Sequence, residues 1–311
     1  MPAIRRLHLS GSHYEMGRQH GEAFADEIRQ FTKGRTELSM DPIWAGKALP
    51  REQVIAIADA MLAVHREYAP ELVEEMQGIA DATGLSLADL VVVGGFTDFV
   101  DVLANVDNLA LLRPVDGKMD ECTAFIVPDS RAIDGKGFIG QTWDMHKDAT
   151  PHVILLDGHP QDEPSFMVFT SVGCVGMIGM NSEGIAIGIN NLRGADGQIG
   201  VTWPFVVRKA LMQRDIEAAV RCITEAPLAG AHNYVVRDAN GKGYNIEALP
   251  TSHTITPLSD ESIVHTNHCL APQHQELERP STEERIRHSE GRLKRAQRLL
   301  QKPALGVEDL M

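Results

Sequence analysis

The chain has 311 residues, of which 43% are hydrophobic, so it can bury a large core in one large domain or in two ordinary ones. Its 43 acidic and 29 basic residues give a formal net charge of −14, which argues against general affinity for nucleic acid or anionic membranes and favours a small-molecule partner. No stretch resembles a signal peptide or approaches the ~20 apolar residues of a membrane span, and we therefore predict a cytoplasmic protein.

The first third of the chain has the periodicity of helices. Between residues 11 and 112, apolar residues recur three and four positions apart in YEMGRQHGEAFADEIRQF, REQVIAIADAMLAVHREY and PELVEEMQGIADATG. The period then changes to two in CTAFIVPDSRAIDGKGFIGQTWD and HNYVVRDANGKGYNIEAL, which predicts β-hairpins that turn at Asp134-Gly135 and Asn240-Gly241. Helical segments near residues 202–226 and 281–301 interrupt the strands. Helices segregated from antiparallel strands predict the α+β fold class.

The change of period marks the predicted boundary within the chain. It falls in LLRPVDGKMDE, a segment rich in proline, glycine and charge that is typical of an exposed linker. We predict a helical segment of residues 1–121 and a sheet-rich segment of residues 122–311. Both belong to one globular unit, because the apolar faces of the helices need the sheet layer.

Cys122 stands directly at this change of period. The other cysteines are Cys174, Cys222 and Cys269, and the absence of any C-x-x-C pair argues against a disulfide framework or a zinc knuckle. A lone cysteine is most often a small buried hydrophobe, and core filling is the expectation for those three. A nucleophilic cysteine needs a base. If the peptide bond before Cys122 is broken, the new α-amine on its own Cα can act as that base, since its reference pKa is about 7.7–8.0.

Seven motifs then appear in a recognisable order. They are LSGSHYEMGRQHGEAF, ECTAF, IGQTWDMH, GMNSEGIAIGINNL, NYVVRDANGKGYNIEA, IVHTNHCL and STEER. Together they resemble the acyl-coenzyme A:6-aminopenicillanic acid acyltransferase-like (isopenicillin N acyltransferase) family, over residues 9 to about 300. That resemblance implies an N-terminal-nucleophile (Ntn) hydrolase with an αββα sandwich of antiparallel sheets, which cleaves itself between Glu121 and Cys122.

The resemblance also implies the roles of individual residues. Cys122 is the nucleophile, Asp144 orients or helps to charge the free amine, and Asn267 donates its amide to the oxyanion. A backbone N–H at Asn191, or alternatively Asn190, is the second oxyanion donor. Arg285 contacts the catalytic aspartate or a substrate carboxylate.

Three of these roles have a structural alternative. Asp144 could cap the turn after its strand, and Asn267 could satisfy a backbone group at a strand end. Arg285 belongs to a helix crowded with exposed cations, most of which only solvate a face. Those neighbours are Arg287, Arg292, Lys294, Arg295 and Arg298.

The resemblance implies turnover of a small acyl-amine or acyl-thioester through an acyl-enzyme on Cys122. Hydrolysis is slightly favoured over acyl transfer, and a homo-oligomer is compatible with the sequence. No cofactor or metal is expected, because strand spacing sends His265 and His268 to opposite faces. Two alternatives stay open: an uncleaved Cys–His hydrolase with His146 or His265 as base, and a non-catalytic scaffold.

One departure from the family concerns the residue before the nucleophile. Many family members have glycine there, whereas this chain has Glu121. A carboxylate beside the thiol would disfavour the thiolate and slow processing.

Overall fold

The computed structural model describes residues 4–45, 48–106, 121–145 and 147–310. Within them the α-helices are α1 (His13–Met40), α2 (Pro42–Ala45), α3 (Arg51–Tyr68), α4 (Pro70–Thr83), α5 (Leu87–Gly94), α6 (Phe96–Val106), α7 (Trp203–Leu211), α8 (Ile216–Thr224), α9 (Pro272–Gln275) and α10 (Glu283–Leu299). The strands are β1 (Arg5–Gly11), β2 (Glu121–Val127), β3 (Phe138–Asp144), β4 (Val153–Pro160), β5 (Phe166–Ser171), β6 (Ile178–Asn181), β7 (Ala186–Asn191), β8 (His232–Arg237), β9 (Gly243–Leu249), β10 (Ser252–Pro257) and β11 (Ile263–His265).

The amino-terminal helices pack through small residues. Helix α1 begins at a capping box, in which the Ser12 side chain accepts from the Glu15 backbone and the Glu15 side chain accepts from the Ser12 backbone. It then crosses α4 closely, because Gly17 lies against the main chain of Glu75 and a Cβ there would overlap the Glu75 carbonyl oxygen. The close approach buries the apolar faces of both helices in the main core.

The large sheet has eight strands in the order β1-β4-β5-β6-β7-β8-β9-β10. All neighbours pair antiparallel except β1 and β4, which are parallel. Successive residues of β8 show its two faces: Tyr234 packs into the core with the helices, whereas Val235 packs against Ala124 and Ile126 of β2. The large sheet therefore lies between the helical layer and a second sheet.

That second sheet has three strands, β11-β2-β3, all antiparallel. Its inner face packs on β7 and β8, and its outer face packs on α10. Val127 and Val264 meet Leu293 in this outer cluster. The layers run helix, sheet, sheet, helix, so the predicted α+β class and the αββα order are confirmed.

Both predicted hairpins are present, as β2–β3 and β8–β9. The helical segment near residues 202–226 is divided into α7 and α8, because Asp215 caps a new helix by accepting the Ala218 N–H at 2.8 Å. Strand β1 was not predicted. Except for Glu121, the predicted linker lies outside the described residues.

None of the described helices alone has the length and apolar content of a membrane span. The helices Pro70–Thr83 and Leu87–Gly94 satisfy those limits only as a pair, and this pair is bent by 112°.

Candidate active site

Cys122 is the second residue of β2 and is fully buried. Because side chains alternate along a strand, Cys122 shares the inner face of the small sheet with Ala124, while Glu121 and Thr123 share the outer face with α10. The thiol belongs to the interior of the sandwich.

A cavity of about 10 Å³ adjoins Cys122, which is room for about one water molecule. Its walls are mostly apolar and include Phe96, Trp143, Met177 and Trp203. Within the described residues, the nucleophile predicted from the sequence is fully buried, and the cavity beside it has no room for a substrate-sized molecule.

Asn267 contacts Cys122 directly. Its Oδ1 accepts the backbone N–H of Cys122 at 2.7 Å and a second hydrogen bond from Arg292 Nη2 at 3.0 Å, while its Nδ2 donates to the Asn191 carbonyl oxygen at 3.0 Å. Two donors on one side and a carbonyl acceptor on the other fix the orientation of the amide. The nitrogen bound by Asn267 is the atom that cleavage would turn into the α-amine.

Arg292, expected from the sequence to be one of the solvated cations of its helix, contacts both Cys122 and Asn267. Its Nη1 donates to the carbonyl oxygen of Cys122 and, at 3.2 Å, to Thr123 Oγ1. The signal that could have found it is helix spacing: Arg292 lies seven residues after Arg285, hence on the same face of α10.

Glu121 lies on the outer face, away from the thiol. Its carboxylate accepts a hydrogen bond from His288 Nδ1 at 2.9 Å and lies 3.7 Å from Arg292 Nε. The expectation that this carboxylate stands beside the thiol was wrong, because strand alternation separates the two side chains.

Asp144 is paired in register with Glu121, and Cys122 is paired with Trp143. Asp144 is thus opposite the residue whose carbonyl would be attacked, but its exposed side chain lies on the outer face. The structure brings Asp144 to the proposed cleavage point without placing it on the face of the thiol.

Asn191 ends β7 and is buried. Its carbonyl oxygen holds Asn267, and its Oδ1 has no hydrogen-bond partner among the described residues. Asn190 is directed instead into a buried amide cluster, where its Oδ1 accepts from Asn233 Nδ2 at 3.3 Å. Of the two, Asn191 is the one that lines the cavity beside Cys122.

Arg285 lines a larger cavity of about 400 Å³ on the α10 side of the small sheet, and most of the residues around this cavity are polar or charged. Arg193, Arg279, Arg292, Glu121 and Asn267 line it as well. Burial, followed by the charges of Arg279 and Arg285, lowers the pKa of Arg193 to about 10. Four guanidinium groups thus line one cavity, those of Arg193, Arg279, Arg285 and Arg292.

Of the two histidines considered as alternative bases, His265 is engaged elsewhere. His265 Nε2 bonds Glu247 Oε1 at 2.8 Å, and its Nδ1 bonds the Thr266 carbonyl oxygen at 2.8 Å. His146 lies outside the described residues. The histidine that lines the small cavity with Cys122 is His232, whose Nε2 bonds Thr97 Oγ1 at 3.2 Å. Burial lowers the pKa of His232 to about 3, which makes it a poor base.

Of the remaining cysteines, Cys174 and Cys269 are buried, and Cys222 is partly buried against the main core. Burial raises the pKa of each thiol in Cys174, Cys222 and Cys269. These thiols stay protonated near neutral pH, as expected for core residues.

One group within the described ranges has ligand atoms close enough to hold a metal ion: His8, Asp157 and His159, within 4.8 Å of one another. They lie on β1 and β4, at the edge of the large sheet. Asp157 is already paired with Arg6 Nη2 at 2.6 Å. His268 is not in this group: its Nδ1 bonds Ser289 Oγ at 2.7 Å.

Comparisons with known proteins cover most of the chain. It is 25% identical over 256 residues to an uncharacterized protein of Archaeoglobus fulgidus. The aligned region covers 76% of this chain and 41% of that protein. It is 26% identical over 281 residues to the acyl-coenzyme A:6-aminopenicillanic-acid-acyltransferase 40 kDa form of Emericella nidulans. This aligned region covers 87% of this chain and 72% of that protein.

Among solved structures, an N-acylethanolamine-hydrolyzing acid amidase ortholog of Caenorhabditis elegans aligns with 56% of this chain and 79% of its own, at 15% identity and a TM-score of 0.41. The sequence model of one family matches residues 131–304. Because this match extends over more than half of the chain, the chain belongs to the acyl-coenzyme A:6-aminopenicillanic acid acyl-transferase family.

Proposed function

We propose that the chain is an autoprocessing cysteine Ntn enzyme that acts on a small N-acyl compound through an acyl-enzyme on Cys122. The observation that carries this proposal is the 2.7 Å hydrogen bond from the Cys122 backbone N–H to Asn267 Oδ1. In the continuous chain this bond positions the peptide group to be cut. After the cut, the same contact would hold the new α-amine beside the thiol.

Self-cleavage begins when the Cys122 sulfur attacks the carbonyl carbon of Glu121. The C–N bond breaks as the sulfur–carbon bond forms, and the nitrogen takes up a proton to become the α-amine. Water then hydrolyses the thioester. The products are the carboxylate of Glu121 and a free thiol at the start of residues 122–311.

In turnover, the α-amine takes the thiol proton and the thiolate attacks an amide or thioester carbonyl. The Asn267 side chain carries two N–H groups; one bonds the Asn191 carbonyl oxygen, and we assign the second to the oxyanion, with the Asn191 backbone N–H as its companion. The protonated amine then returns a proton to the leaving amine. Asp144 and Arg285 keep the roles that the family resemblance implies.

The acyl-enzyme can be resolved by water or by a second amine. Hydrolysis is the preferred proposal, with acyl transfer as the companion activity named for the Emericella nidulans relative. A homo-oligomeric state and a cytoplasmic location stay predictions.

The decisive experiment combines intact mass under denaturing conditions with an amide-hydrolysis assay. We expect wild type to give two fragments that meet at 121/122 and to hydrolyse amides, and Cys122→Ala to be uncut and inactive. An active, uncut wild type would refute the self-cleavage. Inactivity of both proteins across a panel of N-acyl amides would favour the non-catalytic scaffold.

A further inference from the structure

We propose that His8, Asp157 and His159 form a Zn²⁺ site that ties strand β1 to strand β4 at the edge of the large sheet. Their ligand atoms all lie within 4.8 Å of one another. None of the three belongs to the proposed catalytic machinery, so the site stands apart from the chemistry of Cys122.

The pairing of β1 with β4 brings the three side chains to one face of the sheet. His8 is directly opposite Asp157 in the parallel register, and His159 follows Asp157 by two residues. The neighbouring side chains Leu9 and Leu156 point the other way, into the core with the helices. The three polar side chains therefore share the face directed away from the helical layer, where both histidines are exposed.

The distances between the ligand atoms suit a metal ion. His8 Nδ1 lies 3.3 Å from Asp157 Oδ2, and His159 Nε2 lies 3.1 Å from Asp157 Oδ1. Ligand bonds of about 2.0–2.1 Å place neighbouring ligand atoms roughly 3.0–3.4 Å apart around Zn²⁺. The two imidazole rings lie beside each other with centroids 4.8 Å apart, so small rotations bring both nitrogens to one ion.

Ser165 supports one of the ligands from behind. Its Oγ lies 3.0 Å from His159 Nδ1. A hydroxyl can donate or accept, so Ser165 can accept the Nδ1–H and leave Nε2 with the lone pair that a metal ion requires. A polar partner on the second ring nitrogen is the usual support of a metal-bound histidine.

The ligand types select the class of ion. Two imidazoles and one carboxylate suit Zn²⁺, whereas Mg²⁺ and Ca²⁺ prefer oxygen ligands. Three protein ligands leave the fourth position of a tetrahedral ion to water, which the exposed face of the sheet supplies.

Arg6 competes with the ion for Asp157. Its Nη2 lies 2.6 Å from Asp157 Oδ2. Because 58% of its side chain is exposed, Arg6 can turn into solvent when an ion binds. A cation this close repels a divalent ion, so Arg6 weakens the site without blocking it.

An ion at this site would link two parts of the chain. His8 precedes residue 121, whereas Asp157 and His159 follow it. If the chain is cut at 121/122, as the proposed function requires, the ion would join the two fragments. Its ligand bonds would then add to the backbone pairing of β1 with β4.

The test measures Zn²⁺ binding by calorimetry to the full chain with Cys122→Ala, in which that thiol cannot bind the ion. We expect one equivalent of Zn²⁺ to bind. His8→Ala, His159→Ala and Asp157→Asn should each weaken binding by at least about 10-fold, since each alters a ligand. The control is His253→Ala, a change at an exposed histidine of the edge strand at the other end of the same sheet, which should bind as the parent does.

Three further measurements test the assignment of the ligands. Co²⁺ in place of Zn²⁺ should give a visible absorption band that is lost in His8→Ala. Zn²⁺ should raise the midpoint of thermal unfolding of the parent by at least about 2 °C, but not that of His8→Ala. Arg6→Ala should bind Zn²⁺ about 10-fold more tightly, because the competing cation is removed. Midpoints without added ion verify that each variant is folded.

The absence of Zn²⁺ binding to the parent would overturn this inference, as would equal affinities of the parent and His8→Ala. Unchanged affinity in Arg6→Ala would count against Asp157 as a ligand. These results leave the proposed function intact, because the tested chain lacks the Cys122 thiol. An inactive, uncut wild type would instead count against the proposed function and leave the metal site standing.

Discussion

The backbone N–H of Cys122 and the side chain of Asn267 meet although 145 residues separate them in the chain. Both were identified from short motifs, ECTAF and IVHTNHCL, and the register of β11 with β2 explains how they meet. His265 pairs with Ala124 in this register, so the turn after β11 ends beside the start of β2. The order of the motifs identifies Cys122 and Asn267, and the pairing of β11 with β2 explains why the two residues lie within hydrogen-bonding distance.

Arg292 was missed because its helix contains several arginines that look alike in sequence. What distinguishes these arginines is whether each lies on the face of α10 that packs on the small sheet. Arg292 lies on the face that carries Ser289 and packs on β2, whereas Arg295 is exposed. Helical spacing alone indicates that Arg285, Ser289 and Arg292 share one face of the helix, but it does not indicate which face packs on the sheet.

Asp144 is proposed to act on the α-amine of Cys122, yet its side chain is exposed on the outer face of the small sheet, away from the thiol. We expect Asp144→Asn to lower kcat by at least about tenfold, because an amide cannot balance the charge of a protonated α-amine. Asp148→Asn, a change at an exposed aspartate in the adjoining segment, is the control and should leave kcat unchanged. Steady-state kinetics on cleaved protein provide the measurement. Equal kcat values for Asp144→Asn and wild type would reduce Asp144 to an exposed strand-end residue.

At the scale of the elements, the crossing of α1 and α4 depends on glycine. We expect Gly17→Ala to lower the free energy of unfolding by about 1–3 kcal/mol, since the added Cβ overlaps the main chain of Glu75. Gly34→Ala, in the same helix, meets no atom within 4 Å and should raise stability by about 0.5–1 kcal/mol. Urea denaturation of both variants measures the difference. A neutral Gly17→Ala would show that α1 can shift without cost.

His13 links the helical segment to the sheet-rich segment. Its ring lies 3.2 Å from Glu75 Oε2 and 3.2 Å from Glu163 Oε1. Burial lowers the pKa of His13, but the hydrogen bonds to Glu163 and Glu75 and the charge of Glu75 outweigh burial and raise the pKa to about 9. The protonated ring therefore stabilises the folded chain.

The sign of the resulting pH dependence follows from the raised pKa. The stabilisation is fully present below the unfolded pKa of about 6.5 and is lost as the pH rises through about 9. We expect the free energy of unfolding of wild type to fall by up to about 3 kcal/mol more than that of His13→Gln between pH 6.5 and 9.5. Parallel pH profiles for the two proteins would contradict this assignment.

At the scale of the whole molecule, the layered α+β architecture could be predicted because alternation and helical periodicity occupy separate parts of the chain. Strand β1 could not, since RRLHLSG is short and its pairing partner is β4, about 150 residues away. Its position has a physical cause: Leu9 is fully buried, and parallel pairing to β4 completes one edge of the large sheet.

This connectivity predicts what happens to the two segments after a cut at 121/122. Strand β1 pairs with β4 over seven residues, and His13 and Glu75 contact Glu163 and Arg208 of the other segment. We expect the two fragments to stay together, so that native mass measurement gives one species where denaturing measurement gives two. Separation of the fragments without denaturant would mean that these contacts are too weak to hold them.

The complete burial of Cys122 also bears on redox chemistry. Oxidants attack thiolates that solvent can reach, and a fully buried thiol such as that of Cys122 is shielded from them. If the proposed function holds, the uncut chain would carry its nucleophile in a reduced, shielded form, and sensitivity to peroxide would begin only once the thiol becomes exposed.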